Sequence, residues 1–239
     1  MPTPVGMRSY QLCRGVVLGN YVDVLITGIG WETGRTVNRP RYVLRDLLKL
    51  QPDVCISSGF AGGLAPDLHS GDVVAARALS LRTGGDVIHC NSNLVRLAQE
   101  AGAQVKDMLV TETHVVSEAS SKASLSAFAD FVDMESYYIL QIVSGSKIPA
   151  ISVRAVSDAH EDHVPSGIEK IIDGAGHVRM LPLMNFLLRR PFRIPSLIEF
   201  GSKTRAAAAA LADFLDRFLE VLDGSTSEAQ AKRERVAVR

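Results

Sequence analysis

Short runs rich in β-branched residues alternate with segments of helical period along most of this chain, and no other feature of the sequence limits its fold as tightly. The strand candidates are Gly15–Leu18, Val22–Thr27, Val54–Ser58, Asp72–Ala78, Met108–Val116, Phe131–Met134 and Ile148–Ala155. Several are apolar throughout instead of alternating, as strands covered on both faces are. Helical period marks the stretch before Leu50, then Asn93–Ala101, Ser120–Ala129, Glu135–Ser144, Leu181–Arg190 and Ser196–Leu222. The pattern predicts an α/β fold, with three αβα layers built around a mixed central sheet.

Pro40 makes the first helix start near Asn38 or bend there. Leu211, Phe214, Leu215, Phe218 and Leu222 form one apolar stripe, which is packing and not chemistry. A single domain over residues 1–222 follows from the length, since 239 residues suit one core that buries roughly 70–75% of the unfolded surface. Past Gly224 the polar run STSEAQAKRERVAVR predicts a disordered tail over residues 223–239.

Lysine plus arginine (26) balance aspartate plus glutamate (26), which removes the basic footprint of a nucleic-acid binder and leaves a small molecule as the natural partner. Cys13, Cys55 and Cys90 are odd in number and form no CxxC pair, so a reducing, cytoplasmic location is expected and a disulfide framework or zinc site is not. No apolar run is long enough to span a membrane, and the first fifteen residues lack the charged and apolar regions of a signal peptide.

Three segments could carry chemistry. In Ser57-Ser-Gly-Phe-Ala-Gly-Gly, a strand ends in Gly59, Phe60, Ala61, Gly62 and Gly63, where main chain can approach a ligand; a tight turn would use glycine equally well. In Val132-Asp-Met-Glu-Ser, Glu135 opens a helix and could accept hydrogen bonds from two vicinal sugar hydroxyls, or merely face the helix dipole. In Ser152-Val-Arg-Ala-Val-Ser-Asp-Ala, a strand delivers Asp158, which could protonate a departing base or cap a turn. His160 and His163 match a metal pair in spacing only and are read as surface histidines, with no metal or other cofactor.

Taken in order, SGFAGGLAPDLHSGDVV, VDMES and VRAVSDA resemble the purine nucleoside phosphorylase/uridine phosphorylase superfamily, over roughly Val16 to Asp158. The nearest resemblance is to methylthioadenosine/S-adenosylhomocysteine nucleosidases and to the hopanoid-associated phosphorylases. The latter takes in VVSEASSKASL and LLRRPFRIPSLIEFG and reaches about Leu222. The resemblance implies that Glu135 binds the ribose over Met134, and that Asp158, beside Ser157, protonates purine N7. It also implies that Arg154 is an active-site arginine, that Val115 and Val116 line the base pocket, and that Gly59 to Gly62 pass near the sugar. A homo-oligomer is implied as well.

The expected reaction is cleavage of a purine N-glycosidic bond through a sugar of oxocarbenium character. Family members usually open with a strand and loop bearing the phosphate contact or water-activating glutamate; this chain reaches the equivalent of the second or third strand by about Gly15, and Glu32 is a poor substitute. Where phosphorylases often place an arginine before the glycines, Ser57 stands, which favours hydrolysis. Arg35, Arg39 and Arg41 keep inorganic phosphate open as a co-substrate. The apolar segment with Arg189, Arg190 and Arg193 suits a lipid-linked nucleoside, adenosylhopane, and a transient membrane contact. Methylthioadenosine or S-adenosylhomocysteine is the alternative substrate, and a catalytically inactive nucleoside-binding protein the alternative of another class.

Overall fold

The computed structural model of the chain describes residues 11–30, 38–162 and 194–237. The strands are β1 (Gln11–Val17), β2 (Asn20–Ile26), β3 (Cys55–Gly63), β4 (Val73–Leu81), β5 (Ile88–His89), β6 (Gln104–Thr111), β7 (Phe131–Asp133) and β8 (Ala150–Asp158). The helices are α1 (Asn38–Lys49), α2 (Ser92–Glu100), α3 (Ala119–Leu125), α4 (Ser136–Ser144) and α5 (Ile194–Ala237). The helix expected at Leu181–Arg190 lies outside the described residues.

The central sheet is mixed, as expected, with order β5-β4-β6-β7-β3-β8. β3 runs parallel to β8, and β6 parallel to β4 and β7, while β3 is antiparallel to β7. The sheet is more curved than a plain middle layer. Val73–Ala75 of β4 also pair antiparallel with β8, closing β4, β6, β7, β3 and β8 into a ring. Such tight curvature needs strands poor in bulky side chains, and both β3 (Gly59, Ala61, Gly62, Gly63) and β4 (Ala75, Ala76, Ala78) supply it.

β4 and β8 are apolar because both faces are covered, and Ile151, Val153, Ala155 and Val156 are fully buried. α2 caps this core with Leu94, Val95, Leu97 and Ala98; Asn91 Oδ1 accepts from the N–H groups of Asn93 and Leu94, each at 3.1 Å. Gly102 ends the helix at φ +102°, a left-handed conformation that glycine adopts without strain. α5 lays Ala207, Leu211, Phe214 and Phe218 onto β8 and α2, with the two phenylalanine rings stacked 5.4 Å apart.

Four expectations are corrected. β3 does not stop at Ser58 but carries the glycines inside the strand. β6 ends at Thr111, short of Val116, because Thr111 Oγ1 turns to Asp133 Oδ1 (2.6 Å) and the next amide, of Glu112, donates to the Asp133 carbonyl. α3 ends at Leu125 instead of Ala129. The segment past Gly224, expected to be disordered, continues α5 to Ala237. Its Ala, Gln, Glu, Lys and Arg are good helix formers, and one interior glycine costs only about 1 kcal/mol.

β1 and β2 form a separate two-stranded hairpin, with Leu18 (φ 51°) and Gly19 (φ 82°) both left-handed at its turn. Its side chains face solvent, Tyr21 being 94% exposed, while Leu25 packs on the core.

Candidate active site

β3 is the spine of the site. On one side Gly59 is in register with Arg154 and Gly62 with Asp158; on the other, Gly62 is in register with Val132 of β7, which leads into Met134 and Glu135. Glu135 and Asp158 thus flank one strand. The glycines are there for space, not for unusual backbone angles. A Cβ on Gly59 would lie 3.3 Å from Arg154 Nη1, and one on Gly62 would lie 3.2 Å from Asp158 Oδ2 and 3.3 Å from Val132 Cγ1. Buried charged side chains occupy the room that a side chain on β3 would need.

Asp158 is 6% exposed. The β3–β8 register slips at Ala61/Gly62, so Ser157 is the extra residue of a bulge, a device that re-aims neighbouring side chains. Its hydroxyl donates to Asp158 Oδ1 at 2.6 Å, with the Ala61 carbonyl 3.2 Å away. Asp158 Oδ2 accepts from Nζ of Lys122 on α3 at 2.5 Å.

Arg154 is 1% exposed and bonded on all sides within the protein. Its Nε donates to Asp133 Oδ2 at 2.9 Å, and its Nη2 to Ser57 Oγ at 3.0 Å and to Ser136 Oγ at 2.6 Å. Asp133 also accepts from Thr111 Oγ1 (2.6 Å) and from the N–H of Ser136 (3.0 Å), so both its oxygens are satisfied. This network fixes the turn between β7 and α4, on which Glu135 sits.

Glu135 is half-buried, and its Oε1 accepts from the N–H of Gly30 at 2.5 Å. Gly28 and Gly30 both take positive φ, 79° and 75°, in the loop after β2. Burial first, then the nearby Asp133 carboxylate, push Glu135 up to about 7, against the opposing pull of Arg154 and the N–H groups of Gly30 and Met134. Met134 is half-buried beside it, and Phe60 is 42% exposed on β3. Val115 and Val116 are half-buried between β6 and α3, and Val116 packs on the cluster containing Leu64, Val110, Leu125 and Val132.

Gly59, Phe60, Ala61, Gly62, Met134, Glu135, Arg154, Ser157 and Asp158 are therefore gathered on three adjoining strands and their ends. His160 is half-buried, not on the surface, and its Nδ1 has no hydrogen-bond partner; His163, Glu32, Arg35, Arg189, Arg190 and Arg193 lie outside the described residues. Ser57 is buried and bonded to Arg154, closed to an incoming anion. Three participants escaped the sequence reading. Gly30 had a signal in T-G-I-G after a strand, and Asp133 sits inside VDMES. Lys122 stands one turn before Leu125 on α3, a cation where an apolar stripe should be.

The model of the phosphorylase superfamily matches residues 3–179. The 5′-methylthioadenosine/S-adenosylhomocysteine nucleosidase of Aeromonas salmonicida (strain A449) is 28% identical over 203 residues, covering 73% of this chain and 84% of that relative. Among solved structures, the nucleosidase of the same name from Neisseria meningitidis, in complex with methylthio-immucillin-A, superposes with a TM-score of 0.63 at 20% identity, over 90% of this chain and 87% of that one. Futalosine hydrolase of Helicobacter pylori strain 26695 gives a TM-score of 0.63 at 17% identity, over 90% of this chain and 86% of that one. These likenesses extend the fold assignment along the whole site.

Proposed function

The chain belongs to the phosphorylase superfamily, and we propose that within it the protein hydrolyses the N-glycosidic bond of a 5′-substituted adenosine, releasing adenine. The observation that carries this reading is the placing of Glu135 and Asp158 on either side of the glycine strand β3. Glu135 grips the sugar hydroxyls and Asp158 serves the leaving base, while Gly59 to Gly62 keep the main chain low beneath the nucleoside. Hydrolysis is favoured over phosphorolysis because Ser57, buried and held by Arg154, offers no charged fork for phosphate. No metal or organic cofactor enters this chemistry.

The named relatives favour methylthioadenosine or S-adenosylhomocysteine as substrate. Adenosylhopane is the finer alternative that the sequence resemblance implies. Incubating the purified protein with each of the three, with and without phosphate, and following adenine separates them. Adenine from none of them, in a folded sample, would sink the reading. A cytoplasmic homo-oligomer is part of the proposal; exposed Leu12, Val16, Tyr21 and Val24 on the β1–β2 hairpin support self-association, and sedimentation at several protein concentrations tests it.

A carboxylate that accepts from two hydroxyls works in its ionised form, so activity should follow the titration of Glu135. With a midpoint near 7, kcat/KM is expected to rise about tenfold between pH 6 and pH 8. Glu135→Gln should lose that limb together with about 10²-fold of kcat/KM. The same shift acts on stability with the opposite sense. The folded state holds this proton more tightly than the unfolded chain, so stability declines as pH rises from about 4.5 to about 7. Glu135→Gln should therefore unfold at a higher temperature than wild type at pH 8, with little difference at pH 4.5.

A further inference from the structure

Lys122 is fully buried, and the roles of Glu135 and Asp158 toward sugar and base do not by themselves require it. Its Nζ donates to Asp158 Oδ2 at 2.5 Å, to the carbonyl oxygen of Ala159 at 2.6 Å and to that of Asp162 at 3.3 Å. Every ammonium proton has an acceptor, which is what a buried lysine needs to stay charged. The nearby Asp162 carboxylate has a cation of its own. Against the upward push of burial, Lys203 and the N–H of Ala159 hold the Asp162 carboxyl below its usual range, and Lys203 reaches Asp162 Oδ1 at 2.8 Å and Glu199 at 2.9 Å. Glu118 heads the helix that carries Lys122 and offers it only a main-chain carbonyl, and His160 is the next side chain but one along from Asp158. The lysine's one carboxylate partner among the described residues is Asp158.

Asp158 Oδ2 accepts a hydrogen bond from the Lys122 ammonium group, so a proton that Asp158 gives up can be replaced from it. The nearest available proton is on Lys122. We propose that Lys122, acting through Asp158, is the source of the proton that the departing base receives. This rests on the reading of Asp158 as the residue that serves the base. As the bond from C1′ to N9 breaks, its electron pair passes into the purine. N7 takes a proton from Asp158, and Asp158 takes one from Nζ of Lys122. The base leaves neutral, Asp158 remains a carboxylate, and Lys122 is left as an uncharged amine, the form that burial favours. Water attacking C1′ becomes the sugar hydroxyl, and the proton it loses restores the ammonium.

Two substitutions separate a proton source from a mere ionic anchor. Lys122→Arg keeps the positive charge but cannot release a proton, and Lys122→Met removes both. With methylthioadenosine as probe, and S-adenosylhomocysteine or adenosylhopane if either proves the better substrate, kcat is expected to fall about 10²-fold or more in each variant. KM should change by less than about threefold, since the loss falls on the chemical step. The double variant Lys122→Met/Asp158→Asn leaves no buried ion unpaired, and should be no slower than Asp158→Asn alone. Wild-type kcat in Lys122→Arg, a KM in either single variant that rises as much as kcat falls, or a further slowing in the double variant would each overturn the inference while leaving the nucleosidase reading standing. A wild-type protein that releases no adenine from any of the three nucleosides would overturn both.

Discussion

Asp158→Asn is expected to slow adenine release by about 10²–10⁴-fold and to unfold more readily than the wild-type protein. The two effects have separate causes. Asparagine keeps the shape of the side chain and can still accept from Ser157 Oγ, so the bulge at Ala61/Gly62 should survive. What it cannot do is pass on a proton, and an anionic purine leaves poorly. The stability effect comes from Lys122, whose side chain is 0% exposed and would keep its charge without a counter-charge. Stranding one member of a buried ion pair costs about 3–5 kcal/mol, and the amide oxygen of asparagine offsets part of that. Ser157→Ala is the control. It removes a hydrogen bond to the other carboxylate oxygen, worth about 1 kcal/mol, and leaves the Lys122–Asp158 pair intact. Turnover at saturating nucleoside and urea midpoints measure the two effects independently. Wild-type turnover in Asp158→Asn would remove Asp158 from the chemistry. Ligand-induced stabilisation of the wild type without any turnover would favour the inactive binding protein.

What could be read from the chain in advance followed the range of the interactions. β4 and β8 were legible because burial on both faces writes apolar residues at successive positions instead of alternate ones, and α5 because its stripe repeats every three or four residues. Glu135 and Asp158 were legible because each stands at the end of such a run, where an α/β sheet presents its ligands. The closure of β4 onto β8 was not, since Val73 and Ala155 pair across about a third of the chain and neither segment's local pattern records it. The glycines of β3 mark a place where main chain can come close to a ligand, but the sequence does not record that Gly59 and Gly62 also make room for Arg154 and Asp158 from the neighbouring strand. Lys122 and Asp133 were missed for the same reason. Each owes its burial to a partner of opposite charge, 36 and 21 residues away respectively, and a sequence window sees only an ordinary surface charge.

Arg154→Met should be the most destabilising single change in the site, by about 3–5 kcal/mol. Asp133, its partner, has a side chain that is 0% exposed, and would lose the cation that makes its burial tolerable. Ser57 and Ser136 would lose a donor in the same step, because one nitrogen, Nη2, serves both. Lysine should not rescue the site. The guanidinium reaches the carboxylate through Nε and the two hydroxyls through Nη2, a planar fork that a single ammonium nitrogen cannot reproduce. If the cost comes from the stranded carboxylate, Arg154→Met combined with Asp133→Asn should be less destabilised than the sum of the two single changes, by at least about 1 kcal/mol. Strict additivity would instead mean that the pair is not coupled. The substitution also has a signature in activity. Burial and Asp133 raise the pKa of Glu135, and Arg154 is the largest of the influences that hold it down, so removing the arginine strengthens the upward push. The acid limb of kcat/KM, measured below the variant's unfolding temperature, should move to a pH above its wild-type midpoint near 7. A limb that stays in place while stability falls would mean that the buried network supports the fold of β7 and α4 but does not tune the carboxylate that holds the sugar.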